Sequence, residues 1–384
     1  MGSYSMNMTY LDYAATTPVL PEVAEAVLRA MEKDFGNPSS VHAYGRAARN
    51  SVEDSRDAVA AAVGASPSEI IFTGGGTEAD NLALKGSVRP GDHVVVSAFE
   101  HDAVLEAAGG LERQGVEITL APVGPDGIVD PAAVAAAVRP STVLVSVMAV
   151  NNEIGTVQDV AALSEAARAV KGDVLVHTDA VQALGNIPVA LHSWGVDLAS
   201  FSGHKLGGPK GVGALFVRSG VILEPQLHGG GQERGLRSGT LNVPAICGFG
   251  VAAEVAAKEV YEKAERLAEL RARLLSGIRS VTSDVVVNGS LERRIPGNLN
   301  VCLPGTHGET LLMLLDASGV ACSSGSACAS GALDPSHVLL AIGVPRALAA
   351  GSLRLSLGRG STRDDVDAFL RALPEVIERA RRGA

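Results

Sequence analysis

The sequence predicts an α/β protein: a large α/β domain over residues 15–257, then a smaller α+β domain over residues 258–384, joined through the N-terminal segment 9–14. Three observations carry this reading. Apolar runs alternate with helical patterns from about residue 20 to residue 260, the order expected of a mainly parallel sheet with helices on both faces. The alternation lapses after Pro244, where a long Ala-, Glu- and Arg-rich stretch begins. The length of 384 residues is enough for two cores.

The strands of the large domain are expected at Glu69–Phe72, His93–Ser97, Val116–Ala121, Thr142–Val147, Val174–His177, Leu198–Ser202 and Ala214–Val217. Several are unbroken Val/Ile/Leu runs, as strands buried on both faces require. Helices are expected between them at Ala43–Val63, Ala103–Gln114, Pro131–Val138 and Val160–Val170. Asp130 before Pro131 has the form of an N-cap followed by an N1 proline. The stretch from Pro244 to about Arg279 reads as one or two helices with a hinge. Strands at Val285–Asn288 and Asn298–Leu303 follow, then a helix at Glu309–Ala317, a Ser/Gly/Ala/Cys-rich loop at Cys322–Gly331, a strand at Ser352–Leu357 and an amphipathic closing helix at Arg363–Arg381.

Composition narrows the function. The net charge of −10 argues against a nucleic-acid-binding surface, and no apolar run approaches the roughly 18 residues of a membrane span. The N-terminus lacks the apolar core of a secretory signal. Cys247, Cys302, Cys322 and Cys328 form no C-x-x-C pair, so no metal site is expected, and reduced thiols in the cytoplasm are.

The residues that carry chemistry stand at strand ends, where open α/β sheets bind ligands. Ser202-Gly-His-Lys205 closes the run Leu198–Ser202; a lysine amine there can form an imine with an aldehyde cofactor. Thr73-Gly-Gly-Gly-Thr77 precedes a helix whose free N–H groups could meet a phosphate, though a plain glycine-rich turn has the same composition. His101 could stack on a planar ring or be an exposed loop histidine. Asn152 could donate to a phenolate or a carboxylate, or simply belong to a turn. Asp179 could pair with a protonated pyridine nitrogen, or cap a helix, and Gln182 could bond a ring hydroxyl.

With these parts in place the chain resembles the NifS/IscS group of cysteine desulfurases, within the class V aminotransferase-like enzymes of pyridoxal 5'-phosphate (PLP) fold type I. The likeness runs from Tyr10 to about Leu373. It rests on Tyr10-Leu-Asp-Tyr-Ala-Ala-Thr-Thr-Pro18, Gly36-Asn-Pro-Ser-Ser40, Phe72-Thr-Gly-Gly-Gly-Thr-Glu-Ala-Asp-Asn81, Asn151-Asn-Glu-Ile-Gly155, Ser202-Gly-His-Lys205, His228-Gly-Gly-Gly-Gln-Glu-Arg234 with Arg237-Ser-Gly-Thr240, Ser323-Ser-Gly-Ser-Ala-Cys328 and Arg354-Leu-Ser-Leu-Gly358.

The resemblance implies a mainly parallel seven-stranded sheet in the large domain and PLP held by Lys205 as an imine. His101 would stack on the ring, Asp179 would face its nitrogen and Gln182 its oxygen. Gly76, Thr77, Ser202 and His204 would bind the phosphate. Thr240 would reach the phosphate of a neighbouring subunit, implying a homodimer. Asn152 and Arg354 would hold L-cysteine, the planar Arg fork pairing with its carboxylate. Cys328, in its small-residue loop, would take the sulfur as a persulfide, with His101 moving the thiol proton. Cys322 is its nearest rival, but it directly follows an apolar run and reads as buried; Cys247 and Cys302 read as structural.

A selenocysteine lyase, a small-substrate aminotransferase and a catalytically silent sulfur carrier are the competing readings. The sulfur acceptor stays open among iron–sulfur cluster assembly, tRNA thiolation and other products, because the last helix is followed by no long tail for a scaffold protein.

Overall fold

The computed structural model describes residues 8–324 and 335–382. A two-residue strand, β1 (Thr9–Tyr10), comes first. The main sheet follows: β2 (Ile70–Thr73), β3 (His93–Ser97), β4 (Glu117–Ala121), β5 (Thr142–Ser146), β6 (Leu175–Asp179), β7 (Leu198–Ser202) and β8 (Gly213–Val217). The sheet has the seven strands expected, in the spatial order β2-β8-β7-β6-β5-β3-β4. Strands β4, β3, β5, β6 and β7 pair in parallel, while β8 runs antiparallel to both β7 and β2. The sheet is therefore mixed by one strand.

Unbroken apolar strands arise because both faces are covered. On β3, Val95 joins one apolar layer, with Phe72, Val145 and Phe201. Its neighbours Val94 and Val96 join the opposite layer, with Leu144, Leu198 and Leu215, as alternation of Cβ directions along a strand demands. The helices Gly76–Ser87 and Asp102–Glu112 supply Leu82 and Leu111 to this second layer. The helices Ala43–Val63 and Val160–Val170 supply Val59 and Leu163 to the first.

Local chemistry sets the helix ends. The His42 ring accepts from the Gly45 N–H at the start of Ala43–Val63, and Gly64 ends that helix at φ 66°, where a glycine costs least. The Asp130 carboxylate accepts from the Ala132 N–H ahead of the helix Pro131–Ala137.

The remaining strands are β9 (Val286–Val287), β10 (Asn298–Cys302), β11 (Val320–Ala321) and β12 (Ser352–Ser356). β12, β10 and β9 form an antiparallel sheet, and β1 pairs in parallel with β11. A further apolar cluster gathers Leu11, Leu267, Leu274, Leu299, Leu353 and Phe369.

Of the one or two helices expected beyond Pro244, the structure has one. Val243–Val281 is one helix of 39 residues, capped by Asn242 and unbroken through its length. Its Ala, Glu, Leu and Arg content explains the continuity, because these are the strongest helix formers.

Candidate active site

The parallel strands deliver their C-terminal ends to one edge of the sheet. Lys205 ends a 3-10 turn, Gly203–Lys205, that continues β7. Its amine donates to the carbonyls of Ala14 (2.6 Å) and Ala15 (2.8 Å), which come from the N-terminal segment. Gln182 donates to the same Ala14 carbonyl at 2.9 Å. Thr17 and Thr16 extend this seam: the Thr17 hydroxyl donates to the His204 carbonyl at 2.8 Å, and Thr16 Oγ1 lies 3.0 Å from His204 Nδ1.

Asp179 is the last residue of β6 and is buried. Its carboxylate accepts from the Val181 N–H at 2.9 Å. Burial raises its pKa, while the nearby His101 imidazole and Lys205 amine draw it down. His101 caps the helix Asp102–Glu112, with Nδ1 accepting from the Ala103 N–H at 3.0 Å. That bond places the neutral ring's proton on Nε2.

Gly76, Thr77, Ser202 and His204 line one cavity together with Gly74, Gly75 and Lys210. Gly76 opens the helix Gly76–Ser87, so its end offers free N–H groups to an anion. A Cβ on Gly76 would lie 2.7 Å from a methyl of Val181, which leaves no room for a side chain there. Burial and the charges of Lys205 and Lys210 push the His204 pKa down to about 4, so its ring is neutral.

Arg354 lies on β12, buried, with its fork held by two groups. Nη2 donates to Asp12 at 2.8 Å and Nη1 to the Asn152 carbonyl at 3.2 Å. Its Nε is buried with no hydrogen-bond partner among the described residues, and so is the Asn152 side-chain oxygen. Buried polar atoms of this kind are costly unless a ligand satisfies them. Asn151 shapes this corner: its amide donates to the Phe99 carbonyl and its oxygen accepts from the Glu153 and Ile154 N–H groups.

Thr240 does not line the Gly76 cavity of its own chain. It is exposed on a loop whose other end is firmly held. Glu233 and Arg234 carry positive φ (47° and 58°), a strained backbone for residues with side chains. The buried Glu233 carboxylate accepts two hydrogen bonds from Arg56 and one from the Phe72 N–H, which holds that turn in place. Arg237 pairs with Glu78 at 2.9 Å, and Glu78 in turn accepts from the Gly74 N–H.

Cys328 lies outside the described residues. Cys322 directly follows β11, and burial, with Asp12 adding to it, pushes its thiol pKa up to about 12. Cys302 is buried, and Asn288 donates to its sulfur at 3.1 Å. Among the described residues no His/Cys/Asp/Glu group could hold a metal ion. Sequence reasoning missed Asp12, the Arg354 partner, although it sits inside the quoted N-terminal motif.

The class-V aminotransferase family profile matches residues 9–369. A cysteine desulfurase IscS from Dictyoglomus turgidum is 47% identical over 376 residues, 97% of this chain and 95% of the relative. One from Methanosarcina thermophila is 46% identical over 376 residues, 97% of this chain and 92% of the relative. Among solved structures, a NifS-like protein superposes with a TM-score of 0.90 at 39% identity, covering 97% of this chain and 99% of the other. A protein solved as SspA in complex with cysteine gives 0.79 at 35%, covering 91% and 98%.

Proposed function

The chain belongs to the class-V aminotransferase family and acts as a cysteine desulfurase, and we propose that it does so with PLP held by Lys205 and a persulfide formed on Cys328. The observation that carries the reading is the meeting of Lys205, Asp179 and His101 at one sheet edge, beside a glycine-lined anion cavity.

The residues present fit PLP. Glycines and a helix start suit its phosphate, the buried acid Asp179 suits a protonated ring nitrogen, and the Asn152 oxygen and Arg354 Nε are buried atoms awaiting a partner. Gly76, Thr77, Ser202 and His204 would hold the phosphate, Gln182 the ring oxygen, and His101 the ring face. When bound, PLP supplies an electron sink for the pair released at the substrate α-carbon.

The chain's own residues do the rest. Arg354 binds the L-cysteine carboxylate and Asn152 fixes the substrate beside it. Lys205, once its amine is free, would take the α-proton, its nitrogen held in place by the Ala14 and Ala15 carbonyls. His101 moves a proton at Nε2. The Cys328 thiolate attacks the substrate sulfur: an S–S bond forms, the Cβ–S bond breaks, and its electron pair returns to the carbon skeleton that leaves as alanine.

Purified protein given L-cysteine is expected to yield alanine and protein-bound persulfide, with slower or faster turnover of selenocysteine separating a lyase. Arg354→Lys is expected to raise KM for L-cysteine roughly 10- to 100-fold with cofactor absorbance unchanged, because a bidentate charged contact becomes a single one. An unaltered KM removes Arg354 from carboxylate binding.

We also propose a homodimer, in which Thr240 completes the partner's phosphate site. Leu28, Met31, Phe35, Val41 and Tyr44 are exposed large apolar side chains, a group that a lone chain seldom presents together. Sedimentation velocity is expected to give a dimer; a fully active monomer removes the role given to Thr240. The two units, 15–257 and 258–384, would meet at this site through the segment 9–14. No helix among the described residues is long and apolar enough to cross a membrane. The three described cysteines form no disulfide, which suits a thiol chemistry run in a reducing cytoplasm.

A further inference from the structure

Two carboxyl groups lie deeper than Asp179 and have no part in the reaction above. Asp80 stands on the helix Gly76–Ser87, one turn past the glycines of the anion cavity, and Glu100 precedes His101. Both are fully buried. Glu100 Oε1 accepts from the Ser97 hydroxyl and from the Met148 N–H at 2.7 Å, while Oε2 has no partner among the described residues. The Asp80 carboxyl is hydrogen-bonded by Ser200, but its Oδ1 has no hydrogen-bond partner among the described residues and lies 3.6 Å from His177 Nε2.

His177 is no counter-ion. It is buried between Ser146 (2.8 Å) and Ser200 (3.1 Å), and burial pushes its pKa down to about 3. His337 Nε2 lies 2.9 Å from the main-chain carbonyl of Glu100, and its charge acts on Glu153. The cations of this region, the Lys205 amine and His101 when protonated, act on Asp179. An ionised carboxylate buried with an orphaned oxygen is costly, and carboxyls sharing one dry cluster cannot all be ionised.

We propose that Asp80 and Glu100 are positioning residues for Asp179, held as neutral carboxylic acids so that Asp179 is the single negative charge facing the cofactor's ring nitrogen. The inference rests on the assignment of Asp179 to that nitrogen. A second negative charge beside Asp179 would raise its proton affinity and draw the shared proton off the ring, weakening the electron sink. Burial pushes Glu100 up to about 8, with Asp179 adding to it against the hydrogen bonds from Ser97 and Met148. Burial first and Asp179 second push Asp80 well above the carboxylate range.

The direction of the pH effect follows. Folded Glu100 keeps its proton up to about 8, whereas the unfolded chain releases it above the ordinary 4.5. Unfolding therefore releases a proton between those values, and the stabilisation from Glu100 is complete below the lower one and lost as pH rises through the upper. Glu100→Gln cannot titrate.

The test uses the cofactor-loaded full chain, its Glu100→Gln and Asp80→Asn variants, infrared spectroscopy and thermal melts. At neutral pH each substitution is expected to remove one protonated-carboxyl absorption. The difference in Tm between parent and Glu100→Gln is expected to fall as pH rises through this window and to level off above it. Should a variant fold poorly, the parent alone decides: its Glu100 absorption is expected at neutral pH and to fade through about pH 8. Absence of protonated-carboxyl absorption in the parent, or a Tm difference flat across the window, overturns the proposal. Asp179→Asn separates the two readings. If it leaves the pH titration of cofactor absorbance unchanged, the assignment of Asp179 fails, whatever the infrared shows.

Discussion

Lys205→Ala is expected to abolish the visible absorbance of bound cofactor and to lower cysteine turnover by roughly 10³-fold or more. Two functions leave together. The amine stands in the turn that follows β7, and in the proposed reaction it is also the base for the α-proton. Its nitrogen is located by the Ala14 and Ala15 carbonyls, so no neighbouring amine inherits the position. Lys210 lines the anion cavity instead, and the Lys263 amine, which lines a cavity shared with Lys205 and Gln182, donates to the Asn186 side-chain oxygen. Lys205→Arg keeps the charge but cannot form the covalent link, and it is expected to fail in the same way. Added small amines are expected to restore part of the proton transfer in Lys205→Ala but not in Lys205→Arg, whose side chain fills the space. Absorbance and turnover equal to the parent's would show that another residue anchors the cofactor.

Cys328→Ser is expected to retain full cofactor absorbance and L-cysteine binding while persulfide and alanine formation fall by roughly 10³-fold or more. Cys322→Ser is expected to stay within about twofold of the parent. The contrast comes from thiolate supply. With its pKa pushed up to about 12, Cys322 at pH 8 exposes roughly one thiolate in ten thousand molecules. Cys302 and Cys247 are likewise held up by burial. Mass spectrometry of the trapped persulfide locates it directly. A sulfur adduct on Cys322, with Cys328→Ser active, exchanges the two roles.

The strands of the main sheet were legible because strands covered on both faces must be apolar at every position, and such runs stand out in a sequence. β1 and β11 were not, since two-residue strands carry no period; they exist through pairing across the chain. The stretch beyond Pro244 could be read as one helix or two because its change of composition marks a change of packing partner, which a continuous helix absorbs. In the site, residues at strand ends could be named because topology sends those ends to one edge. Asp12 reaches Arg354 only through tertiary approach, across 342 residues. Glu100 was passed over as a neighbour of His101, for a carboxyl that is buried and one that is solvated look alike in sequence.

The seam between the N-terminal segment and β11 and β12 has a consequence for biosynthesis. Ala14 and Ala15 are made long before the groups that hold their segment: Val320 pairs with Thr9, Arg354 with Asp12, and Ser356 with the Ala14 N–H. At roughly 5–20 residues per second, this gap of 342 residues corresponds to about 17–70 s of translation. Through that interval a nascent chain lacks the fixed carbonyls that aim Lys205. A chain truncated before β12 is therefore expected to lack the Arg354 and Ser356 contacts that hold the Ala14 and Ala15 carbonyls beside Lys205.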